Sequence, residues 1–156
     1  MPPLPKQVIE ATPPFHVLGE GVLRFAFWKI YDITLYGPGP AWRDDAPYAL
    51  AVVYARSFTG AEVADEGVKQ MRHLGYQDVQ DLDRWRGDML LAIPAVHTGD
   101  QVAAVFTPPD DTRFYINGRM TAEFQDAAFS RAFFGIWLSP QTSEPKLRRA
   151  LLGGDR

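Results

Sequence analysis

Residues Gly19 to Tyr36, GEGVLRFAFWKIYDITLY, form a run free of proline and rich in β-branched and aromatic side chains. That composition predicts extended structure, with Gly19 and Gly21 at its start. Period two sorts the run into two faces. Leu23, Phe25, Phe27, Lys29, Tyr31, Ile33 and Leu35 fall on one; Val22, Arg24, Ala26, Trp28, Ile30, Asp32, Thr34 and Tyr36 fall on the other. The first face is apolar except for Lys29 and Tyr31, so it is the expected core face of a sheet. On that register Phe27 is buried and Thr34 faces outward. A run this long is two short strands or one long bent one, because strands usually run about 5–6 residues.

The rest of the chain divides by its punctuation. Residues 1–14 carry five prolines and read as an extended N-terminal arm. Phe15 to Leu18 fits a short edge strand, and the turn-forming GPGPAWRDDAP leads to a buried strand, YALAVVYAR, at Tyr48 to Arg56. Thr59 to Leu74 reads as a helix with Thr59 and Glu62 in capping-box spacing and Gly75 at its end. Gly67 inside it costs about 1 kcal/mol relative to alanine, which predicts close packing against another element. Val79, Leu82, Trp85, Met89 and Ile93 recur at helical spacing in a second helix, Asp78 to Ala92. Strands follow at Gln101 to Thr107, Thr112 to Ile116 and Arg119 to Phe124, the last two joined by the hairpin signal Asn117-Gly118. A third helix spans Asp126 to Leu138. A short last helix ends at Leu152, with Ser143 as its expected N-cap and Pro145 in its first turn. Strands, two helices, strands, two helices make an α+β order, with helices on one face of a mostly antiparallel sheet. No linker divides the chain, so residues 15–153 are expected to form a single domain.

Composition narrows the function classes. The net charge of −3, with no basic block, gives no electrostatic footprint for nucleic acid or an anionic membrane. The absence of cysteine excludes thiol nucleophiles, cysteine-ligated zinc and iron–sulfur clusters. No apolar run approaches the roughly 20 residues of a membrane helix, so the chain as given reads as soluble. A removed signal segment would leave no trace, and the compartment stays open between cytoplasm and periplasm. There is no H-E-x-x-H, G-x-S-x-G, P-loop or dinucleotide fingerprint. His16, His73 and His97 stand singly, and the pairs Asp44-Asp45 and Asp110-Asp111 lie in turn-rich loops, so no metal and no cofactor is expected.

Two stretches carry a resemblance: GEGVLRFAFWKIYDITLY and FFGIWLSPQTSEPKLRRALLG from Phe133 to Gly153. With the FTGAEVADEGVKQM helix and the FYINGR hairpin, they resemble the chalcone isomerase-like proteins in their bacterial branch, from about Val17 to Gly153. The segment Ser139 to Pro145 is the most specific, since plant members carry the same S-P-x-T-S-x-P pattern. The resemblance implies an open-faced β-sandwich, a large antiparallel sheet with a helical layer on one face. Plant chalcone isomerases add a phenolate to an enone. They use an arginine just before the long strand, a threonine and a lysine on it, a tyrosine and an asparagine from the first helix, and a threonine of the last segment. Here Lys29 matches the lysine and Thr142 the last threonine. Tyr31 falls at the strand threonine, Val63 at the helix tyrosine and Gln70 at the asparagine. The arginine has no match. Arg24 is close but on the opposite face, and only a β-bulge between Gly21 and Phe27 would turn it inward. Without that cation the largest catalytic contribution, oxyanion stabilisation, is lost.

The candidate ligand-binding residues are therefore Tyr31, Lys29, Thr142, Ser143, Gln70 and Arg24, and no catalytic residue is assigned. Each has a structural alternative. Tyr31 could be a buried tyrosine bonded to backbone, and Lys29 could snorkel to the sheet edge. Thr142 could be a turn residue and Ser143 a helix cap. By resemblance the expected partner is a small lipophilic carboxylate, such as a fatty acid, held between sheet and helices without chalcone isomerase activity. Two alternatives stay open: an isomerase (an intramolecular lyase) acting on another substrate, and a protein-interaction module whose interior is simply full.

Overall fold

The computed structural model describes residues 4, 5, 8 and 14–154. Of the two forms expected for the run from Gly19 to Tyr36, two strands or one long bent one, the structure takes the first. The run is most of a hairpin, β1 (His16–Phe25) and β2 (Trp28–Gly37), with Phe25 paired to Trp28 across the turn. Ala26 makes that turn at φ 54. An alanine there costs about 1 kcal/mol or more, and no glycine or asparagine announced it. The chain continues through β3 (Tyr48–Tyr54), the two-residue β4 (Phe58–Thr59), α1 (Gly60–His73), α2 (Val79–Ala92), β5 (Ala95–Val96), β6 (Gln101–Thr107), β7 (Asp111–Ile116), β8 (Arg119–Gln125), α3 (Ala127–Leu138) and α4 (Pro145–Leu151). Six strands form one antiparallel sheet in the order β1-β2-β3-β6-β7-β8, and β4 pairs with β5 in a small second sheet. This is the α+β architecture expected. The small β4–β5 sheet was not, because two-residue strands carry no periodicity.

The local signals of the helices hold. Thr59 and Glu62 form a reciprocal capping box on α1, and Gly75 follows at φ 106. A Cβ on Gly67 would meet Met89 Sδ at 2.5 Å, so the glycine lets α1 lie close against α2. Asn117 and Gly118 both take positive φ in the β7–β8 turn. The last helix differs. Glu144, not Ser143, is its N-cap residue, and it makes no side-chain cap bond.

The helical layer covers one face of the sheet. Tyr31, Ile33, Leu35, Leu50, Val52, Phe106 and Phe114 meet Met71, Trp85, Phe129, Phe133, Phe134 and Leu151 there. The opposite face is also covered at its centre, where Tyr36, Ala49, Ala51, Ala103, Val105 and Tyr115 form a second cluster with Leu4 and Val8. These residues of the predicted arm therefore pack on the sheet; the rest of the arm up to residue 13 lies outside the described residues. Two burial expectations fail, the first because this second face is covered and the other because the hairpin tip overhangs β3. Thr34 is fully buried, with no hydrogen-bond partner for its hydroxyl among the described residues, whereas Phe27 is 96% exposed at the hairpin tip.

Candidate functional site

β2 carries Tyr31 into the core, 7% exposed, where the neighbouring strand and the helical layer surround it. Trp137 on α3 donates its indole Nε1–H to the Tyr31 hydroxyl oxygen at 2.8 Å. The Tyr54 ring of β3 meets the Tyr31 ring edge-on, with centroids 5.5 Å apart. Burial, then the neighbouring Tyr54, then the carboxylates of Glu144 and Glu66 push the Tyr31 hydroxyl well above the usual phenol range, and the Trp137 bond only partly offsets this. Tyr31 is thus neutral at any physiological pH. Its oxygen is occupied as an acceptor, and its proton has no acceptor among the described residues.

Beside it, α1 and the segment before α4 are stitched together. Ser143 Oγ–H donates to Gln70 Oε1 at 2.6 Å, and Gln70 Nε2–H donates to Glu66 Oε1 at 2.9 Å. Two candidates far apart in the chain are therefore direct partners, and Ser143 is not the helix cap its position suggested. Thr142 is a turn residue. It donates to the Ile136 carbonyl at 2.6 Å and accepts the Glu144 N–H at 3.2 Å. Val63 packs against the core and brings no polar atom.

Lys29 and Arg24 do not join this group. The β1–β2 register shifts between Leu23 and Arg24: Leu23 pairs with Tyr31 but Arg24 pairs with Lys29, leaving Ile30 as the extra residue of β2. A bulge does occur at the expected place, but on the partner strand. It reverses the phase of β2, so Ile30 and Tyr31 both serve the core while Lys29 shares the outer side with Arg24. Lys29 instead pairs with Asp32 at 2.8 Å. Arg24 is exposed.

Four members of the site were not among the candidates: Tyr54, Trp137, Glu66 and Glu144. Trp137 read only as part of an apolar helix stripe. Glu66 sits one turn before Gln70, and Glu144 is a variable position of the S-P-x-T-S-x-P pattern; spacing could have drawn attention to both. The interior between sheet and helices holds Phe106, Phe114, Phe129, Phe133, Phe134 and Trp85 in mutual ring or core contact. Two concavities among the described residues lie elsewhere. One, of about 490 Å³, opens beside Trp28 and Arg56; the other, of about 180 Å³, adjoins Leu4 and Tyr115. No group of three or more histidine, aspartate or glutamate side chains comes together among the described residues at metal-binding distance.

The family model described as chalcone isomerase-like matches residues 3–153. A Haemophilus influenzae protein described as uncharacterized is 27% identical over 137 residues, which are 87% of this chain and 67% of that protein. Among solved structures, a fatty-acid binding protein of Arabidopsis thaliana superposes with a TM-score of 0.67 at 11% identity, over 88% of this chain and 86% of that one. At that identity the likeness is one of fold.

Proposed function

The chain belongs to the chalcone isomerase-like family, and from that premise we propose that it is a non-catalytic member that binds a small, lipophilic, fatty-acid-like molecule through Tyr31. The observation that carries this reading is the Tyr31 hydroxyl: buried, neutral, anchored by Trp137 and left with a proton to donate. A buried donor gains most from an acceptor that excludes water, such as the carbonyl or carboxyl oxygen of an apolar molecule. The fatty-acid binding protein of the same fold makes such a ligand a reasonable class. Trp137 and Gln70 are only partly buried and Ser143 is exposed, so a ligand would approach Tyr31 on that side.

Isomerase chemistry has less support. Ring closure by a phenolate needs positive charge where negative charge develops. Near Tyr31 the charged neighbours are Glu66 and Glu144; Lys29 is engaged by Asp32 on the outer side. The same carboxylates disfavour an ionised ligand head, so a protonated acid, ester or ketone fits better than a carboxylate. A second reading, an interaction module without a ligand, draws on the aromatic filling of the interior.

The test is a titration with fatty acids and their methyl esters, read by calorimetry and by tryptophan fluorescence. Binding is expected, and Tyr31→Phe should weaken it by about 1 kcal/mol, the usual net value of a hydrogen bond. No binding at millimolar ligand, or binding indifferent to Tyr31→Phe, would leave the interaction-module reading. Turnover of a chalcone above the spontaneous rate would refute the non-catalytic assignment.

A further inference from the structure

The β1–β2 hairpin runs past its neighbour. Pairing of β2 with β3 covers only Tyr31 to Tyr36, so the end from Arg24 to Lys29 has no strand beside it. That free end holds Phe25, 75% exposed, Phe27, 96% exposed, and Trp28, 57% exposed. Three large aromatics in water around a turn strained at Ala26 break the local rules of a stable hairpin, with no gain inside the fold to offset them. Rule-breaking of that kind points to function.

The charges around the tip narrow the choice of partner. Arg24 is exposed and has no ion-pair partner among the described residues. The Arg56 guanidinium lies 4.1 Å from the Trp28 ring centroid. The only carboxylate between Val22 and Asp32 is Asp32 itself, already engaged by Lys29. Beneath the aromatics lies the open depression lined by Trp28, Lys29, Ala55, Arg56, Ser57 and Thr98. Apolar tip, interfacial tryptophan and cationic collar follow the order of layers met on entering a bilayer: acyl chains, interface, anionic headgroups. The tip is convex, so a protein partner would need a matching pocket, while a bilayer yields to it.

We infer that the β1–β2 hairpin docks the protein on the surface of an anionic phospholipid bilayer. Phe25 and Phe27 insert among the acyl chains, Trp28 lies at the interface, and a headgroup phosphate meets Arg56 and Ser57 in the depression. The net negative charge of the whole chain conceals this local collar. The docking is independent of the ligand proposed at Tyr31.

The experiment is flotation of the full chain with vesicles of phosphatidylcholine alone or mixed with phosphatidylserine, together with quenching of Trp28 by brominated acyl chains. Binding is expected on the anionic vesicles, weakened by added salt. Phe25→Ser/Phe27→Ser should reduce it about tenfold or more, and Arg56→Gln should reduce binding only where phosphatidylserine is present. Both phenylalanines are exposed, so the double variant should fold, and its fatty-acid titration should match the parent protein. Absence of flotation on anionic vesicles overturns the proposal. So does equal flotation of the double variant, or a hairpin that instead holds two copies of the chain together in solution.

Discussion

The Lys29 ammonium lies 2.8 Å from the Asp32 carboxylate, although a regular strand would hold side chains three residues apart on opposite faces. The extra residue Ile30 makes the pairing possible and takes the cation away from Tyr31. Both partners are more than a third exposed, so the pair is worth little to stability. Lys29→Met should shift the denaturation free energy by less than about 1 kcal/mol and leave a ligand at Tyr31 unaffected. A loss of fatty-acid affinity in that variant would show that the lysine reaches the site.

Phe27 and Ile33 share a face by period two but not in the fold. Phe27→Asp should change stability by no more than about 0.5 kcal/mol, the usual range for an exposed position. Ile33, with no exposed surface, should not tolerate aspartate, since the charge would be buried without a partner. Urea melts of the two variants measure the difference. Comparable destabilisation would place Phe27 in the core.

Glycines at two contacts should respond differently to alanine. A Cβ on Gly19 would run into the backbone carbonyls of Ala150 and Leu151, which cannot turn aside. Gly19→Ala should therefore cost about 2 kcal/mol or more by separating α4 from β1. At Gly67 the obstacle is the flexible Met89 thioether, and about 1 kcal/mol of helix propensity is gained. Gly67→Ala should be close to neutral. Thermal melts that rank the two in the other order would contradict the packing at α4.

Asp111 carries a pH dependence. Burial first, then the hydrogen bond and negative charge of Glu123, push its carboxyl up to about 6, against the pull of Arg113 at 3.3 Å. The unfolded chain releases this proton near the ordinary aspartate value of about 3.9. Between those values the folded state binds more protons, so the contribution of Asp111 is complete below the unfolded value and is lost as pH rises through about 6. Glu123 acts in the opposite sense. Hydrogen bonds from Asp111 and Arg113 hold its carboxyl below the usual range, and its contribution is lost in acid. Asp111→Asn keeps a donor for Glu123 and removes the aspartate titration. Its stability relative to the parent should climb from about pH 4 to pH 6.5 and then level off. A difference that stays flat across that interval in denaturant melts would mean that Asp111 titrates normally.

Where a signal is short-range and backbone-based, the sequence determined the structure. The Thr59–Glu62 capping box, the Asn117-Gly118 turn and the glycine contact on α1 depend on residues close together or on one missing side chain, so their chemistry is visible in the chain. The order of helices and strands and the family pattern around Thr142 were legible for the same reason. The register of the central hairpin was not. Its turn uses Ala26 and Phe27, neither a turn-former, and one extra residue at Ile30 exchanges faces along β2. Period two carries no memory of an insertion, so Lys29 was assigned to the core face that Tyr31, Ile33 and Leu35 enter, and it carries no record that the hairpin overhangs β3, which leaves Phe25 and Phe27 exposed. Tertiary structure alone decided the partners of Tyr31 and Gln70. Trp137 on α3 and Ser143 in the segment before α4 reach them from far along the chain, and such meetings depend on how layers stack, which no local pattern records.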